Sequence, residues 1–384
     1  MATTRSYAVD PERIHSPAYV IEARLLRQNL ELLQGVQREA GVHIILALKA
    51  FAGWPLFPTF RYYLAGATAS SLHEARLINE EMGRTAHTYA VAYAPEEFDE
   101  LAVRSSHLTF NSVSQLERYR ERLANYPGLK IGLRINPEYS SVETELYNPA
   151  ARGSRLGEPA DKLGTGLPPG VTGLHFHTLC ESSSQDLADT LQAVEAKFGH
   201  LLPQISWMNL GGGHLITRSD YDVPHLIATL KAFKAKWNLA LTLEPGSAAL
   251  WQTGTLVTRV LDIHEAGGTR TAILNASFTA HMPDTLEMPY RPAVTGAASD
   301  GNAAHRYRLG GLSCLAGDYL EAYGFDAPLR VGDPVVFEDM IHYTLVKTTM
   351  FNGVPHPSIV LLHEDGRYET LREFGYADYK NRMG

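Results

Sequence analysis

The chain has 384 residues, of which 45% are hydrophobic and 20% are charged, and its formal net charge is −8. That length allows about two or three domains, and the composition is ordinary for a globular protein. The acidic balance argues against a nucleic-acid-binding surface and favours the approach of small cationic molecules.

The sequence indicates neither a membrane span nor a disulfide framework. No apolar run approaches the roughly 18 residues of a membrane helix, and the opening MATTRSYAVDPERIHS lacks the apolar core of a signal peptide. The two cysteines, Cys180 and Cys314, are too few for a disulfide scaffold or a zinc knuckle. We therefore expect a cytoplasmic protein that does not bind membranes.

Strand and helix patterns alternate along the first two thirds of the chain. A short strand at 16–22 and a helix that ends near Gly35 come first. Eight apolar strands separated by helical segments are predicted at 42–51, 62–70, 87–93, 107–111, 129–136, 171–177, 205–213 and 239–246. This alternation is typical of a (β/α)8 TIM barrel, in which active-site groups lie at the carboxyl ends of the strands. We assign the barrel to residues 22–254.

The pattern changes over residues 255–384. Short β-rich runs are separated there by Gly, Pro and Asp turns, with few helical segments. This predicts a second, all-β domain, and we expect the strand within residues 1–21 to join it at an edge. The predicted fold class is α/β, a (β/α)8 barrel followed by a C-terminal β domain.

Lys49 closes the first barrel strand, VHIILALKAF. Packing does not explain a charged residue at the end of an otherwise apolar strand. An amine held there is desolvated, which lowers its pKa and lets it form a Schiff base with an aldehyde cofactor. The alternative is a lysine that extends out of the barrel mouth to water, and the residue alone does not separate the two.

Gly211, Gly212 and Gly213 follow the seventh strand. Their main-chain N–H groups can approach an anion without interference from side chains, at the place where such barrels commonly hold phosphate. The alternative is a tight turn between strand and helix. The position after the seventh strand favours a phosphate site.

Glu244 ends the eighth strand in LTLEPG. Opposite a pyridinium nitrogen, this carboxylate would favour the protonated ring by about 1 to 3 pKa units. A protonated ring is a strong electron sink. The alternative is a helix cap, because Pro245 and Gly246 follow.

His175 and His177 lie two residues apart on the sixth strand, GLHFH, and therefore on the same face. A metal pair is disfavoured because no carboxylate follows at ligand spacing, and we expect no metal. Stacking of His177 on a flat cofactor ring is the preferred interpretation. His175 is expected to be a core histidine with satisfied hydrogen bonds.

Two segments of the second domain carry further candidates. GGLSCLAGD places Cys314 and Asp318 in a glycine-bracketed loop, and EDMIHYTLVK places Tyr343 before an apolar segment. Cys314 can donate a proton and Asp318 can pair with a substrate ammonium. A buried, inert cysteine is the alternative for Cys314.

Together these residues resemble the pyridoxal-phosphate decarboxylases of the alanine racemase and ornithine decarboxylase superfamily, across nearly the whole chain. The resemblance implies pyridoxal 5'-phosphate as cofactor and a homodimer with active sites at the subunit interface. It matches Lys49 to the Schiff-base lysine, Arg134 to an arginine near the stacking histidine, His177 to that histidine, Gly211 to Gly213 to the phosphate loop, Glu244 to the carboxylate at the ring nitrogen, Tyr343 to a phosphate-contacting tyrosine, and Cys314 and Asp318 to a loop from the other subunit.

Within that superfamily, the strings GATASSLHEARL, NLGGGHLITR and especially HMPDTLEMPYRP are similar to the carboxynorspermidine and carboxyspermidine decarboxylases of bacterial polyamine synthesis. Ser247 and Leu315 stand where ornithine and diaminopimelate decarboxylases carry a phosphate-binding arginine and an acidic residue. The resemblance therefore implies that a different acidic residue binds the distal ammonium of the substrate. Asp284, and more weakly Glu287, can supply that charge.

Three alternatives remain. They are a decarboxylase of ornithine, lysine or diaminopimelate, an amino-acid racemase on the same fold, and a non-catalytic cofactor carrier. A racemase generally has an arginine facing the pyridine nitrogen, and Glu244 argues against that. A carrier usually lacks the second domain or has lost the lysine or the cysteine.

Overall fold

The computed structural model describes residues 5–142, 147–151, 153–287, 290–298 and 303–384. The described chain divides into two compact units. One unit is Asn29–Ala249, and the other combines the residues up to Gln28 with Leu250–Gly384. Among the described residues, no helix has the length and apolar character needed to cross a membrane.

Strands and helices are numbered in chain order. The strands are β1 (Ala18–Glu22), β2 (His43–Ala47), β3 (Gly66–Ala69), β4 (Ala86–Tyr89), β5 (Ser105–Phe110), β6 (Lys130–Arg134), β7 (Val171–His175), β8 (Trp207–Asn209), β9 (Ala240–Leu243), β10 (Gly254–Ala266), β11 (Thr269–Leu274), β12 (Ala297–Ala298), β13 (His305–Gly310), β14 (Tyr319–Phe325), β15 (Pro334–Glu338), β16 (Ser358–Leu362) and β17 (Tyr368–Arg372). The helices are α1 (Ala23–Ala40), α2 (Phe57–Tyr63), α3 (Leu72–Leu77), α4 (Phe98–Arg104), α5 (Val113–Leu123), α6 (Ser184–Phe198), α7 (Val223–Trp237), α8 (Ser247–Leu250), α9 (Phe278–His281), α10 (Asp284–Glu287) and α11 (Tyr376–Met383).

The first unit is a closed barrel of the eight parallel strands β2 to β9. Each strand pairs with the next, and β9 returns to β2 through the pairs His43↔Thr242 and Ile44↔Leu243. The barrel confirms the predicted fold class, because each of the eight predicted strands supplies one of its strands. Its strands read as apolar runs because helices cover the outside of the sheet.

Short polar residues start the helices that follow several strands. The side chains of Ser71, Ser112 and Ser183 accept main-chain N–H groups at the starts of α3, α5 and α6. At α6, Asp186 completes a capping box with Ser183. Such caps satisfy N–H groups that have no partner inside the helix. They fix where each helix leaves its strand, and so shape the loops that carry the site.

The interior of the barrel below the strand ends is filled by large rings. Trp207 occupies space beside Gly132 and Gly173, where an added Cβ would lie 2.6 Å and 2.0 Å from its ring. His107 meets Trp207 edge-on at 4.8 Å and stacks on His87 at 3.8 Å between ring centroids. Because this layer is packed, open space is left toward the carboxyl ends.

The second unit is a mixed sheet with the strand order β12-β14-β13-β11-β10-β1-β16-β17, and β15 also pairs with β10. The expectation that the first strand adds an edge is wrong. β1 lies between β10, to which it is antiparallel, and β16, to which it is parallel. All five residues of β1 are buried, as a central strand requires. Val20 packs there with Val257 and Val360 in an apolar cluster.

Candidate cofactor and active site

The candidate site lies at the carboxyl ends of the barrel strands. Lys49 stands two residues beyond β2, and Glu244 directly follows β9. These two ends are adjacent because β9 closes the barrel on β2. Both side chains line one cavity of about 340 Å³, together with Arg134, His175 and His177. That volume is in the range of small-molecule sites.

The Lys49 amine points into this cavity. Its Nζ lies 3.2 Å from Nε2 of His177. The side chain can be reached through the cavity, yet protein surrounds it closely enough that burial lowers the pKa of Lys49, against the opposing pull of Glu244. A lysine with a lowered pKa is more often the neutral nucleophile, as the sequence pattern predicts.

Glu244 is a buried carboxylate in contact with three side chains. Nδ2 of Asn209 donates to its Oε2 at 2.8 Å. Its Oε1 lies 3.3 Å from Nε2 of His175 and 3.4 Å from Nδ1 of His177. Burial favours the neutral acid, but the neighbouring His175 and His177 rings outweigh it and hold the pKa of Glu244 well below its ordinary value. The carboxylate is therefore ionised at neutral pH.

His177 connects the amine to the acid. Its two ring nitrogens contact Lys49 on one side and Glu244 on the other. Burial and the neighbouring Lys49 amine lower the pKa of His177 to about 3, so the ring is neutral at pH 7. The amine and the acid thus face the same cavity and the same ring.

The glycine turn packs against main chain from neighbouring strand ends. Gly211 and Gly213 have φ of +72° and +92°. A Cβ on Gly213 would lie 1.9 Å from the Leu179 carbonyl oxygen. These positions therefore require glycine both for backbone conformation and for space. The same three glycines can therefore form a tight turn and also serve as the predicted phosphate loop.

Two of the three glycine N–H groups are already engaged within the site. Gly211 donates to Oδ1 of Asn209 at 2.9 Å, and Gly212 donates to Nδ1 of His177 at 3.1 Å. If an anion binds at this turn, we therefore expect the Gly213 N–H to be the group that donates to it. The assignment of all three glycines to the phosphate stays a prediction.

Arg134 supports the backbone at His177. Its guanidinium donates to the His177 carbonyl at 3.0 Å and lies 4.7 Å from the centre of the Tyr89 ring. Tyr89 also meets the edge of His175 at 5.2 Å and donates to Asn111 at 2.8 Å. Arg134 and Tyr89 together form the wall of the cavity around the two histidines.

Sequence reasoning missed two members of the site. Asn209 joins Glu244 to the glycine turn, and Tyr89 supports Arg134. His175 is buried, as predicted for a core histidine, but the expectation of satisfied hydrogen bonds is wrong, because neither of its ring nitrogens has a hydrogen-bond partner among the described residues. Its Nε2 lies 3.3 Å from Glu244. The run MNLGGG could have indicated Asn209, because a polar residue ends an apolar strand there. Tyr89 lies at the end of β4, where the same strand-end rule applies.

The other candidates lie in the second unit. Cys314 is exposed, which removes the alternative of a buried inert thiol. Asp318 is buried, and its two carboxylate oxygens accept N–H groups from Thr279 and Ser313, each at 3.0 Å. Tyr343 has a φ of +56° and contacts His342 edge-on. Their approach to Lys49 stays a prediction.

Asp284 and Glu287 share one internal cation. Nζ of Lys347 donates to Oδ1 of Asp284 and, at 2.7 Å, to Oε2 of Glu287. Burial lowers the pKa of Lys347, but the two acids outweigh it and raise that pKa above its ordinary value. The cluster therefore carries one net negative charge. No local sequence pattern indicates this pairing, because the lysine is about 60 residues away in the chain.

The residues fit pyridoxal phosphate on structural grounds. The cavity presents an amine, a neutral imidazole and an ionised buried carboxylate, and a turn that only glycine can form lies beside them. His175, His177 and Glu244 also place donor atoms within 4.8 Å of one another, close enough to hold a metal ion. The expectation of no metal therefore stays a prediction.

The closed barrel, the separate sheet and this donor set define an enzyme of the pyridoxal-phosphate decarboxylase class. The family model described as pyridoxal-dependent decarboxylase, C-terminal sheet domain, matches residues 7–341. The chain belongs to this family. It is accordingly a carboxy-lyase with pyridoxal 5'-phosphate as its cofactor.

Relatives match almost the entire chain. A carboxyaminopropylagmatine decarboxylase of Synechocystis sp. is 53% identical over 96% of this chain and 95% of its own. A carboxynorspermidine/carboxyspermidine decarboxylase of Campylobacter jejuni is 42% identical over 97% of this chain and 99% of its own. The crystal structure of carboxynorspermidine decarboxylase from Campylobacter jejuni, complexed with norspermidine, matches with a TM-score of 0.89 and 40% identity, over 96% of this chain and 100% of that chain.

Proposed function

We propose that the protein decarboxylates carboxynorspermidine, carboxyspermidine or both, in the synthesis of norspermidine and spermidine. The observation that carries the chemistry is the shared cavity, in which Lys49 and Glu244 contact opposite nitrogens of His177. The substrate class is supported by the Campylobacter jejuni relative of that name and by the solved structure with norspermidine. We further propose a cytoplasmic location.

The barrel residues have distinct roles in this proposal. Bound pyridoxal phosphate supplies an electron sink for the electrons left behind when carbon dioxide departs. Lys49 attaches the cofactor, and its lowered pKa favours the neutral amine that attachment needs. Glu244 provides a fixed negative charge for the ring nitrogen, and His177 provides a flat neutral face for the ring. Gly213, with Gly211 and Gly212 shaping the turn, and Tyr343 are proposed to hold the phosphate.

Cys314 is the proposed proton donor to the carbon that loses carbon dioxide. The resemblance assigns this thiol to the partner subunit's active site, so the functional unit is a homodimer. The surface around the thiol supports a partner, because Leu312, Leu315 and Phe351 are 41%, 47% and 47% exposed. Contiguous exposed apolar side chains commonly mark protein interfaces.

Substrate ammonium groups are proposed to bind near Asp284 and Glu287. The two acids already hold Lys347, so a substrate cation must displace that lysine or use the single remaining negative charge. Asp318 was also predicted to bind an ammonium group. Its oxygens accept two main-chain N–H groups, so that role would require them to be shared.

Carboxyaminopropylagmatine is a second candidate substrate. The observation that favours it is the Synechocystis relative, which is 53% identical, against 42% for the Campylobacter jejuni relative. The agmatine end of that compound carries a guanidinium in place of a primary ammonium. A planar guanidinium can pair with a carboxylate through two parallel hydrogen bonds, and Asp284 or Glu287 can offer such a carboxylate.

Carbon dioxide release separates these functions. The holoenzyme is given carboxynorspermidine, carboxyspermidine, carboxyaminopropylagmatine, ornithine, lysine and diaminopimelate in separate assays. The highest kcat/KM is expected with a carboxylated triamine. A preference for carboxyaminopropylagmatine would select the second candidate. Loss of optical activity without carbon dioxide release would indicate a racemase, and no reaction with any compound would indicate a carrier.

Mixed dimers test the proposed homodimer. Lys49→Ala and Cys314→Ala are each expected to be inactive, but equal mixing after reversible dissociation should restore about a quarter of the wild-type activity, because half of the dimers then contain one intact site. No restoration from two folded variants that exchange subunits would exclude a site shared between subunits.

A further inference from the structure

The loop that carries Cys314 is held by hydrogen bonds at both its base and its tip. At the base, the Gly311 N–H donates to the Asp318 carbonyl at 2.7 Å, and the Ser313 N–H donates to the Asp318 carboxylate at 3.0 Å. The Leu312 N–H donates to the Ala276 carbonyl at 3.0 Å. The main chain leading to the thiol is therefore fixed, although the thiol itself is exposed.

Asn352 holds the tip. Its Oδ1 accepts the N–H of Cys314 at 2.8 Å. This contact joins residues 38 positions apart in sequence. It binds the main chain of the same residue whose thiol is the proposed proton donor.

The backbone of Asn352 is adapted to this contact. It has φ of 57° and ψ of 15°, in the left-handed region. Residues other than glycine, asparagine and aspartate rarely adopt that backbone conformation. Unfavourable backbone conformations concentrate at functional sites, and this one occurs at the residue that binds the main chain of Cys314.

The two anchors share one support. Asp318 also accepts the N–H of Thr279, in α9, at 3.0 Å. The next residue of α9, Ala280, accepts the N–H of Thr349 at 2.8 Å, three residues before Asn352. The base and the tip of the Cys314 loop are therefore attached to the same short helix, which limits independent movement of the thiol and of Asn352.

From this geometry we infer that Asn352 is a positioning residue, which sets the direction of the Cys314 thiol for proton transfer through its hydrogen bond to the Cys314 N–H. The inference rests on the proposed function of Cys314. Proton transfer is efficient only when donor and acceptor are held in the correct geometry. Asn352 is itself exposed in the single chain, so water competes for this bond until a partner subunit covers the loop.

Three variants of the holoenzyme test this role. Asn352→Gly keeps the left-handed backbone and removes the acceptor. Asn352→Asp keeps both the shape and the acceptor but adds a charge. Asn238→Gly is the matched control, because Asn238 is also a left-handed asparagine, with φ of 52°, and it ends α7 in the barrel unit. Each variant is assayed for kcat, for KM and for the rate at which iodoacetamide alkylates Cys314, followed by peptide mass spectrometry.

Asn352→Gly is expected to lower kcat by about threefold to tenfold, the equivalent of one lost hydrogen bond, with little change in KM. Its thiol should be alkylated faster, because the loop tip is released. Asn352→Asp should keep kcat within about twofold, since a carboxylate still accepts the N–H bond. Its alkylation should be slower than in the wild type, because a nearby negative charge disfavours the thiolate. Asn238→Gly should resemble the wild type in all three measurements.

Two results would overturn the inference. One is an Asn352→Gly enzyme with wild-type kcat and wild-type alkylation. The other is an Asn352→Asp enzyme that loses as much kcat as Asn352→Gly, because the acceptor would then not matter. Alkylation reports on positioning without any substrate, whereas wild-type carbon dioxide release reports on the proposed function. Failure of one is therefore distinguishable from failure of the other.

Discussion

The cofactor cavity of the barrel and the Cys314 loop of the second unit are built in opposite ways. In the cavity, side chains hold one another, and Glu244 and His175 are buried, at 5% and 1% exposed. In the loop, main-chain N–H groups are bound by Asp318 and Asn352, and the Cys314 thiol is exposed. Contacts in the cavity fix the charge of its side chains, whereas contacts in the loop fix only the position of the main chain that carries the thiol.

This difference shows which requirements each region meets within one chain. An electron-withdrawing site needs low-dielectric surroundings and a permanent charge, and the barrel unit provides both. The proposed proton donor needs a fixed position and protection from water, and the loop provides the first. The second is left to the proposed partner subunit. Variants of the two regions should therefore fail in different ways.

Lys49→Ala and Cys314→Ala should show the largest contrast. Each is expected to lower kcat by about a thousandfold or more. Only Lys49→Ala should lose the visible absorption of lysine-bound cofactor, because the amine that attaches it is gone. Absorption spectra and carbon dioxide release measure the two effects.

Lys197→Ala is the control for this pair, since Lys197 forms a surface ion pair with Glu138. It should keep both colour and activity. A normal visible band in Lys49→Ala would refute the assignment of this lysine, and a normal rate in Cys314→Ala would refute the assignment of the thiol.

Glu244→Gln tests the permanent charge of the cavity. Removal of a charge that favours the protonated ring by about 1 to 3 pKa units should lower kcat by about tenfold to a thousandfold. The hydrogen bond from Asn209 can still form, so the visible band should remain, shifted in wavelength. Stopped-flow spectra and steady-state rates give both quantities.

Glu195→Gln serves as the control, because Glu195 binds Lys236 and Trp237 in the helix layer. Alkylation of Cys314 should be unchanged in both variants. If Glu244→Gln also altered the reactivity of the thiol, the two regions would not be independent.

Much of the cavity could be predicted from sequence because the signals are local. Lys49 and Glu244 each end an apolar strand, and the alternation of strand and helix places both ends at one rim. The position of each residue within this repeating pattern is enough to predict that it lies at the rim of the barrel. His177 followed from the same reasoning, although β7 itself stops two residues earlier, at His175.

What the sequence could not provide were pairings between distant segments. Lys347 binds Asp284 and Glu287 from a different part of the second unit, and Asn352 binds the Cys314 loop. The central place of β1 in the sheet could not be predicted for the same reason, because the sequence of a five-residue strand does not show which strands pair with it. Such contacts depend on the folded arrangement of the sheet and leave no periodic pattern.

Gly213→Ala and Gly170→Ala compare the cavity turn with an ordinary turn of the same unit. The two glycines have nearly equal φ, +92° and +89°. An added Cβ meets the Leu179 carbonyl at 1.9 Å at Gly213 and nothing within 4 Å at Gly170. Both variants should lose about 1 kcal/mol from the left-handed backbone, and Gly213→Ala about 2 kcal/mol more from the collision.

Denaturant unfolding of the apoenzyme and the Kd for pyridoxal phosphate measure these losses. Only Gly213→Ala should bind the cofactor more weakly, because its turn must move. Equal stability and equal Kd in the two variants would show that the close packing of the turn has no role in forming the site.

Acid titration compares the two units directly. His214 in the barrel unit and His281 in the second unit are buried, and burial lowers the pKa of each to about 4. Unfolded histidine titrates near 6.5, so the folded state binds fewer protons between about pH 6.5 and 4. The stabilisation from the neutral ring is complete above that window and is lost as the pH falls through it.

Each histidine should therefore cost about 1.4 kcal/mol of unfolding free energy per pH unit within the window. His214→Gln and His281→Gln should each flatten the slope of the apoenzyme's unfolding free energy by about one proton, as measured in urea from pH 8 to 4.5. If the units unfold separately, His214→Gln should change only the barrel transition and His281→Gln only the sheet transition. An unchanged slope in both variants would mean that other groups control the acid sensitivity of the two units.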